Sequence, residues 1–353
     1  MTKEELYGFR FREPDPITEQ IIKDRWDNLA KPLDGLGQFE SIIGRLGAIT
    51  GMQEVDLTKK LVLIFCADNG IVEEGVSQTG QEVTAIVAEN MAKGQSSVCK
   101  MAACIGADTA VIDIGVSREL TSDGIVHKKI AYGTNNFSKE PAMSEAQALQ
   151  AIEIGIGLVK EYKEAGYAIL ALGEMGIGNT TTGSAVAAAL LGCPADIAVG
   201  KGAGLSEAGL LKKRKVVEAA LQKYRLSNAD ALTVLTHVGG LDIAALAGVC
   251  IGGALYRIPV VLDGAISASA ALLAERLLPG VKEFLIPSHM SREPVAKLLL
   301  QELKLHPVID ADMALGEGTG AVLLLSLLET VLSVYRRQAS FQDAAIEKYR
   351  RDL

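Results

Sequence analysis

A chain of 353 residues, 49% of them apolar and only 5% aromatic, is long enough to bury a substantial core and too apolar for a disordered or fibrous protein. The formal net charge of −8 excludes the basic stripe that a nucleic-acid backbone requires, yet leaves room for a local anion pocket made of amides and a few lysines. The five cysteines form no CxxC pair and read as reduced core thiols.

The opening MTKEELYGFRFREPDP is polar and charged, which predicts no signal peptide and a cytoplasmic protein. Two helical stretches follow, ITEQIIKDRWDNLA and FESIIGRLGAIT, separated by the breaker KPLDGLG. Then one theme repeats: a short apolar run ends in a polar, glycine-containing turn and a helical stretch follows. It recurs at KLVLIFCADNG (60–70), ADTAVIDIG (107–115), YAILALGEMGIGNTTTGSAVAAALLG (167–192), IPVVLDGAISASAALLAERLLP (258–279) and EFLIPSHMSREPVAKLLLQEL (283–303). Near-continuous apolar strands are buried on both faces, so the fold class is α/β, a parallel Rossmann-like sheet flanked by helices. Right-handed crossovers line up the turns at the strand C-termini. Residues 236–256 read as one tightly packed helix, and 321–350 as a long helix or a helix pair. The apolar stretch 321–335 is broken by Glu329 and is too short to span a bilayer, so no membrane partner is expected. Residues 1–50 and 301–353 are expected to form a small helical subdomain, with an α/β core over 51–300 carrying the site.

GEMGIGNTTTG (173–183) is the strongest local signal. Three glycines let the backbone curl after a strand, and Asn179 and Thr180 open an Ala-rich helix whose exposed amides suit a phosphate. A capped helix with packing glycines accounts for the same residues. Asn179 stands where a P-loop would carry lysine, which argues against an NTPase. In ALGEGTGA (314–321) Glu317 sits between glycines, exposed at a turn as either a general base or a helix cap. VGKGAGLSEAGLLKKRK (199–215) offers Lys213 within a basic cluster, SHMSRE (288–293) offers Ser288 and Ser291, and Asp68 and Asp263 end strands where ribose hydroxyls would lie. The histidines, His127, His237, His289 and His306, are scattered without ligand spacing, so no metal is expected. No GxSxG elbow or strand-following GxGxxG occurs. Anion-suited turns plus one exposed carboxylate fit transfer of a phosphorylated sugar.

The ordered series KPLDGLGQFE, ADNGIVEEGVSQTGQEVT, GEMGIGNTTT, VGKGAGL, VGGLDIAALAG, PVVLDG, SHMSRE and LGEGTGA, across residues 15–335, resembles the nicotinate-nucleotide:dimethylbenzimidazole phosphoribosyltransferase family. The resemblance implies transfer of the phosphoribosyl group of nicotinate mononucleotide to a lower-ligand base of cobalamin, with no cofactor and in a homodimer. It implies Glu317 as the base that takes a proton from the acceptor, with Glu174 as a second acid. It implies a phosphate and ribose seat at Gly176, Asn179, Thr180, Gly202, Lys213, Ser291, Gly316 and Gly318, and a base pocket at Gln78, Thr79, Gly80, Met175 and Leu315. The chain departs from the family pattern at Asn69, where many members carry histidine, at Thr79-Gly80, where many have Tyr-Pro, and at Ala314, where an arginine is common. Lys213 or Arg292 would then hold the phosphate. Adenine, another benzimidazole or a phenol is an alternative acceptor, and a non-catalytic partner subunit is the alternative role.

Overall fold

The computed structural model describes residues 1–351. Six parallel strands form the central sheet: β1 (Lys60–Ala67), β2 (Asp108–Gly115), β3 (Ile125–His127), β4 (Ile169–Met175), β5 (Val260–Leu262) and β6 (Leu285–Pro287). Their spatial order is β3-β2-β1-β4-β5-β6. Every residue of β1 is buried, as a strand covered on both faces requires, and it pairs in parallel with both β2 and β4. The chain leaves β1 toward β2 on one side and returns to start β4 on the other. That reversal splays the following loops apart and opens a crevice at the strand C-termini.

Two sequence expectations change. SHMSRE, expected as a turn after its strand, is partly extended: at Ser288 the chain leaves the main sheet, and β7 (His289–Ser291) pairs with β8 (Ile309–Met313) in a separate two-stranded sheet. Residues 236–256 are two helices, Ala231–Val238 and Leu241–Tyr256, because Gly239 and Gly240 are extended and break the run. Leu241–Tyr256 is apolar all round and runs through the core, as such a helix must. It crosses Glu145–Glu164 so closely that a Cβ at Gly155 would lie 2.9 Å from the Gly248 Cα.

The chain ends meet. The indole of Trp26 packs 4.9 Å from the Tyr335 ring, and Leu29 bridges Ser340. The C-terminal region holds one long helix, Thr319–Arg337, whose inner face (Leu324, Leu325, Leu328) is buried. Its 19 residues are apolar and long enough to cross a membrane by composition, but half of that length is buried within the protein. Lys60 at the start of β1 forms an ion pair with Glu329 on it.

Candidate active site

A cavity of about 260 Å³ lies at the C-terminal edge of the sheet, between the loops that follow β4, β5, β7 and β8. β4 delivers Glu174 and Met175 at its last two positions, and Gly176 and Gly178 then turn the chain into helix Asn179–Leu191. Gly178 has φ +92° and no side chain caps the helix; the Asn179 and Thr181 amides are taken by the Gly176 and Gly178 carbonyls, which leaves the amide of Thr180, a lining residue, at the positive end of the helix dipole. The Asn179 side chain donates to Glu174 instead of serving the helix.

Below that helix start, the fully buried Lys213 donates to Thr180 Oγ1 at 2.9 Å and to the Gly200 carbonyl at 3.2 Å. Burial drives its pKa down to about 8, against the nearby Glu293 carboxylate. Lys213 sits behind the wall rather than in it, and reaches the cavity through Thr180. Gly202 lines the site, but its amide already donates to Glu293 Oε1 at 2.9 Å. Arg292 lies outside the lining.

The opposite wall is the loop after β8. Gly316, Glu317 and Gly318 have φ of +81°, +64° and +101°, three left-handed residues in succession. For glutamate that conformation costs about 1 kcal/mol or more, so the surroundings must hold it. Asp263, at the end of β5, does so: its carboxylate accepts from the amides of Gly318 (3.2 Å), Gly320 (2.8 Å) and Ala321 (3.2 Å). Asp263 therefore anchors the loop and caps helix Thr319–Arg337. Gly316 suits glycine through its φ of +81°, and a Cβ there would also press on Glu174 Oε1 at 2.7 Å.

Glu317 is aimed away from its own helix. Glu317 is a lining residue of the cavity, and its carboxylate accepts from the Val98 amide at 3.3 Å, near the start of helix Ser97–Cys104. Burial raises its pKa, with the Val98 bond opposing and Asp263 adding to the rise. Glu174 is pushed up to about 8, first by burial and then by the carboxylates of Asp242 and Asp263. Burial thus raises both acids, and Glu174 faces the larger set of neighbouring carboxylates.

Among the expected base-pocket residues, Met175, Leu315 and Gln78 line the cavity, the Gln78 amide reaching across its mouth to the Gly204 carbonyl. Thr79 and Gly80 follow it outside the lining. Ser291 and Gly316 are in the wall; Gly318 stands behind it on Asp263. Asp68 faces the other way and accepts from the Ser117 amide at 2.8 Å. Sequence reading missed His289 and Glu293, both in the lining. The signal was present in SHMSRE, whose residues alternate along β7, but only its hydroxyls stood out as anion ligands. Among the described residues no three His, Cys, Asp or Glu side chains converge as a metal site.

A phosphoribosyltransferase family model matches residues 11–346. The nicotinate-nucleotide–dimethylbenzimidazole phosphoribosyltransferase of Clostridium acetobutylicum is 47% identical over 329 residues, 93% of this chain and 94% of that protein. That of Acetivibrio thermocellus is 44% identical over 342 residues, 97% of this chain and 96% of its own length. The crystal structure of CobT from Thermus thermophilus superposes with a TM-score of 0.89 at 37% identity, covering 95% of this chain and all of that one. With the switch-point cavity and its paired acids, these likenesses establish that the chain belongs to the nicotinate-nucleotide–dimethylbenzimidazole phosphoribosyltransferase family.

Proposed function

We propose that the chain transfers the phosphoribosyl group of nicotinate mononucleotide to 5,6-dimethylbenzimidazole or a related lower-ligand base, releasing nicotinate and the α-ribotide for cobalamin synthesis. One observation carries this reading: Glu317 and the uncapped start of helix Asn179–Leu191 open on the same cavity. The Thr180 amide and hydroxyl at the helix start, with Lys213 behind them, take the 5′-phosphate. The C1′–N bond to nicotinate breaks with its electron pair staying on the ring nitrogen, which is a pyridinium in the donor and needs no acid to leave. A nitrogen of the acceptor attacks C1′ from the opposite face, inverting β to α, and its ring N–H passes a proton to Glu317. Burial raises the Glu317 pKa toward the operating range, which strengthens it as a base. Holding both reactants in one cavity supplies much of the remaining acceleration.

The acceptor wall supports a second reading of the base. Its apolar residues are aliphatic, Met175, Leu172 and Leu315, with no Phe, Tyr or Trp in the lining among the described residues. Adenine or a phenol then competes with dimethylbenzimidazole, a phenol attacking through oxygen after the same deprotonation. We also place the chain in the cytoplasm as a homodimer.

The test is Glu317→Gln with nicotinate mononucleotide and a mixture of competing bases. The variant is expected to bind the donor normally and lose about 10²–10⁴-fold in kcat. Full turnover would reject Glu317 as the base. No nicotinate release by the unaltered protein with any acceptor would favour a non-catalytic partner subunit.

A further inference from the structure

His289 lies at the start of β7, nearly buried, with its ring in the cavity lining. Its Nδ1 is 3.1 Å from Ser288 Oγ and 3.9 Å from Asp263 Oδ1. The Ser288 hydroxyl has one proton, and it also lies 3.0 Å from the Asp263 carbonyl oxygen, which can only accept. The hydroxyl therefore donates to that carbonyl and accepts from the imidazole, so the ring proton is on Nδ1. The Asp263 carboxylate on the same side favours the same tautomer. Nε2 is left with a lone pair. It faces Gly264, where a first side-chain carbon would lie 3.5 Å away, and the absence of that carbon keeps the space open to the cavity. Burial lowers the His289 pKa, against the pull of Asp263, which keeps the ring neutral.

The cavity is thus divided chemically. One wall, the start of helix Asn179–Leu191, presents the Thr180 amide, unpaired among the described residues, and the positive end of the helix dipole, suited to phosphate oxygens. The other presents acceptors, and a lone pair there repels a phosphate and attracts a hydroxyl. Asp263 cannot take that hydroxyl freely, because three amides of the Glu317 loop already occupy its oxygens.

We propose that His289 Nε2 accepts a hydrogen bond from the ribose 2′-hydroxyl of the bound donor, so that His289 is a specificity-determining residue selecting ribonucleotide over deoxyribonucleotide. This rests on the donor being the nucleotide proposed above. A 2′-hydroxyl so held keeps electron density near C1′ as that carbon becomes electron-poor, an interaction that strengthens toward the transition state.

The experiment compares nicotinate mononucleotide with its 2′-deoxy and 3′-deoxy analogues at a fixed acceptor, in the unaltered full chain and in His289→Phe and His289→Gln. The unaltered protein is expected to lose about tenfold or more in kcat/KM with the 2′-deoxy donor. In H289F that ratio should fall close to one, and H289Q, whose amide oxygen can accept, should restore part of it. An unchanged ratio in H289F would overturn the proposal, including the case in which Nε2 serves the acceptor and all donors slow equally. Should H289F fail to fold, the ¹⁵N shift of His289 in the unaltered protein decides. A bare Nε2 that responds to ribose 5-phosphate but not to its 1,2-dideoxy analogue supports the assignment, and a protonated Nε2 at pH 7 ends it. The titration needs no turnover, so it still reads His289 if no nicotinate is released and the proposed function fails.

Discussion

Glu317 is held at both ends by other parts of the fold. Its backbone hangs from Asp263 and its carboxylate rests on the Val98 amide. If Glu317 is the base proposed above, it is fixed before substrate arrives, and only its proton affinity remains to be set. That setting predicts the pH profile. A raised Glu317 pKa means that kcat/KM climbs with pH through a value above the ordinary carboxylate range and falls away on the acid side. Glu174, protonated below about 8, gives up its proton on the alkaline side, placing a second negative charge beside the first and producing a falling limb. Glu174→Gln, neutral at every pH, should flatten that limb in kcat and leave the acid limb where it was. A residual alkaline weakening confined to donor KM would come from Lys213, which loses its charge near about 8. A full alkaline limb in the kcat of E174Q would refute the role given to Glu174. Much of this was readable from residue types: an acid between glycines is a distinctive pattern, and Gly316 and Gly318 serve left-handed backbone. What the string could not convey is that Glu317 reaches a helix 219 positions earlier, or that Asp263 serves the loop rather than the ribose. Those are contacts made in three dimensions by residues whose types allow either use.

Among the elements, strands buried on both faces were the easiest to recognise, because a run such as LVLIF leaves no polar side to expose. The three-residue strands β3 and β7 and the exposed β8 escaped notice: too few residues or too little burial leaves no alternation to detect. Gly239 and Gly240 looked like packing glycines and proved to be a helix break, since glycine serves equally for close approach and for extended backbone. Close approach does govern the pair Glu145–Glu164 and Leu241–Tyr256. Gly155→Val forces its side chain into the Gly248 backbone, and the two helices must separate. The expected loss is about 1–3 kcal/mol in urea unfolding, in line with overpacking of a tight core. A stability equal to that of the unaltered protein would show that the helices have slack there.

For the molecule as a whole, the outer face of helix Thr319–Arg337 carries Leu323 and Leu327 exposed one turn apart, and Leu315 is exposed at the cavity mouth just before it. Apolar side chains aligned this way beside a functional opening suit contact with a second copy. Sedimentation should give a dimer for the unaltered protein and a monomer for the double variant Leu323→Asp, Leu327→Asp; a monomer in both would remove the homodimer from the reading above.

The pairing of Lys60 with Glu329, 269 positions apart, has a consequence for how the protein comes into being. Translation delivers β1 early, and the helix that packs on β4 and pairs with Lys60 almost last. Until that helix leaves the ribosome, the nascent chain carries a bare apolar flank and lacks Glu317, the proton acceptor proposed above. Maturation and the onset of activity therefore coincide, and a message cut short near its end yields a polypeptide that is both inactive and adhesive, a natural client for chaperones and proteases.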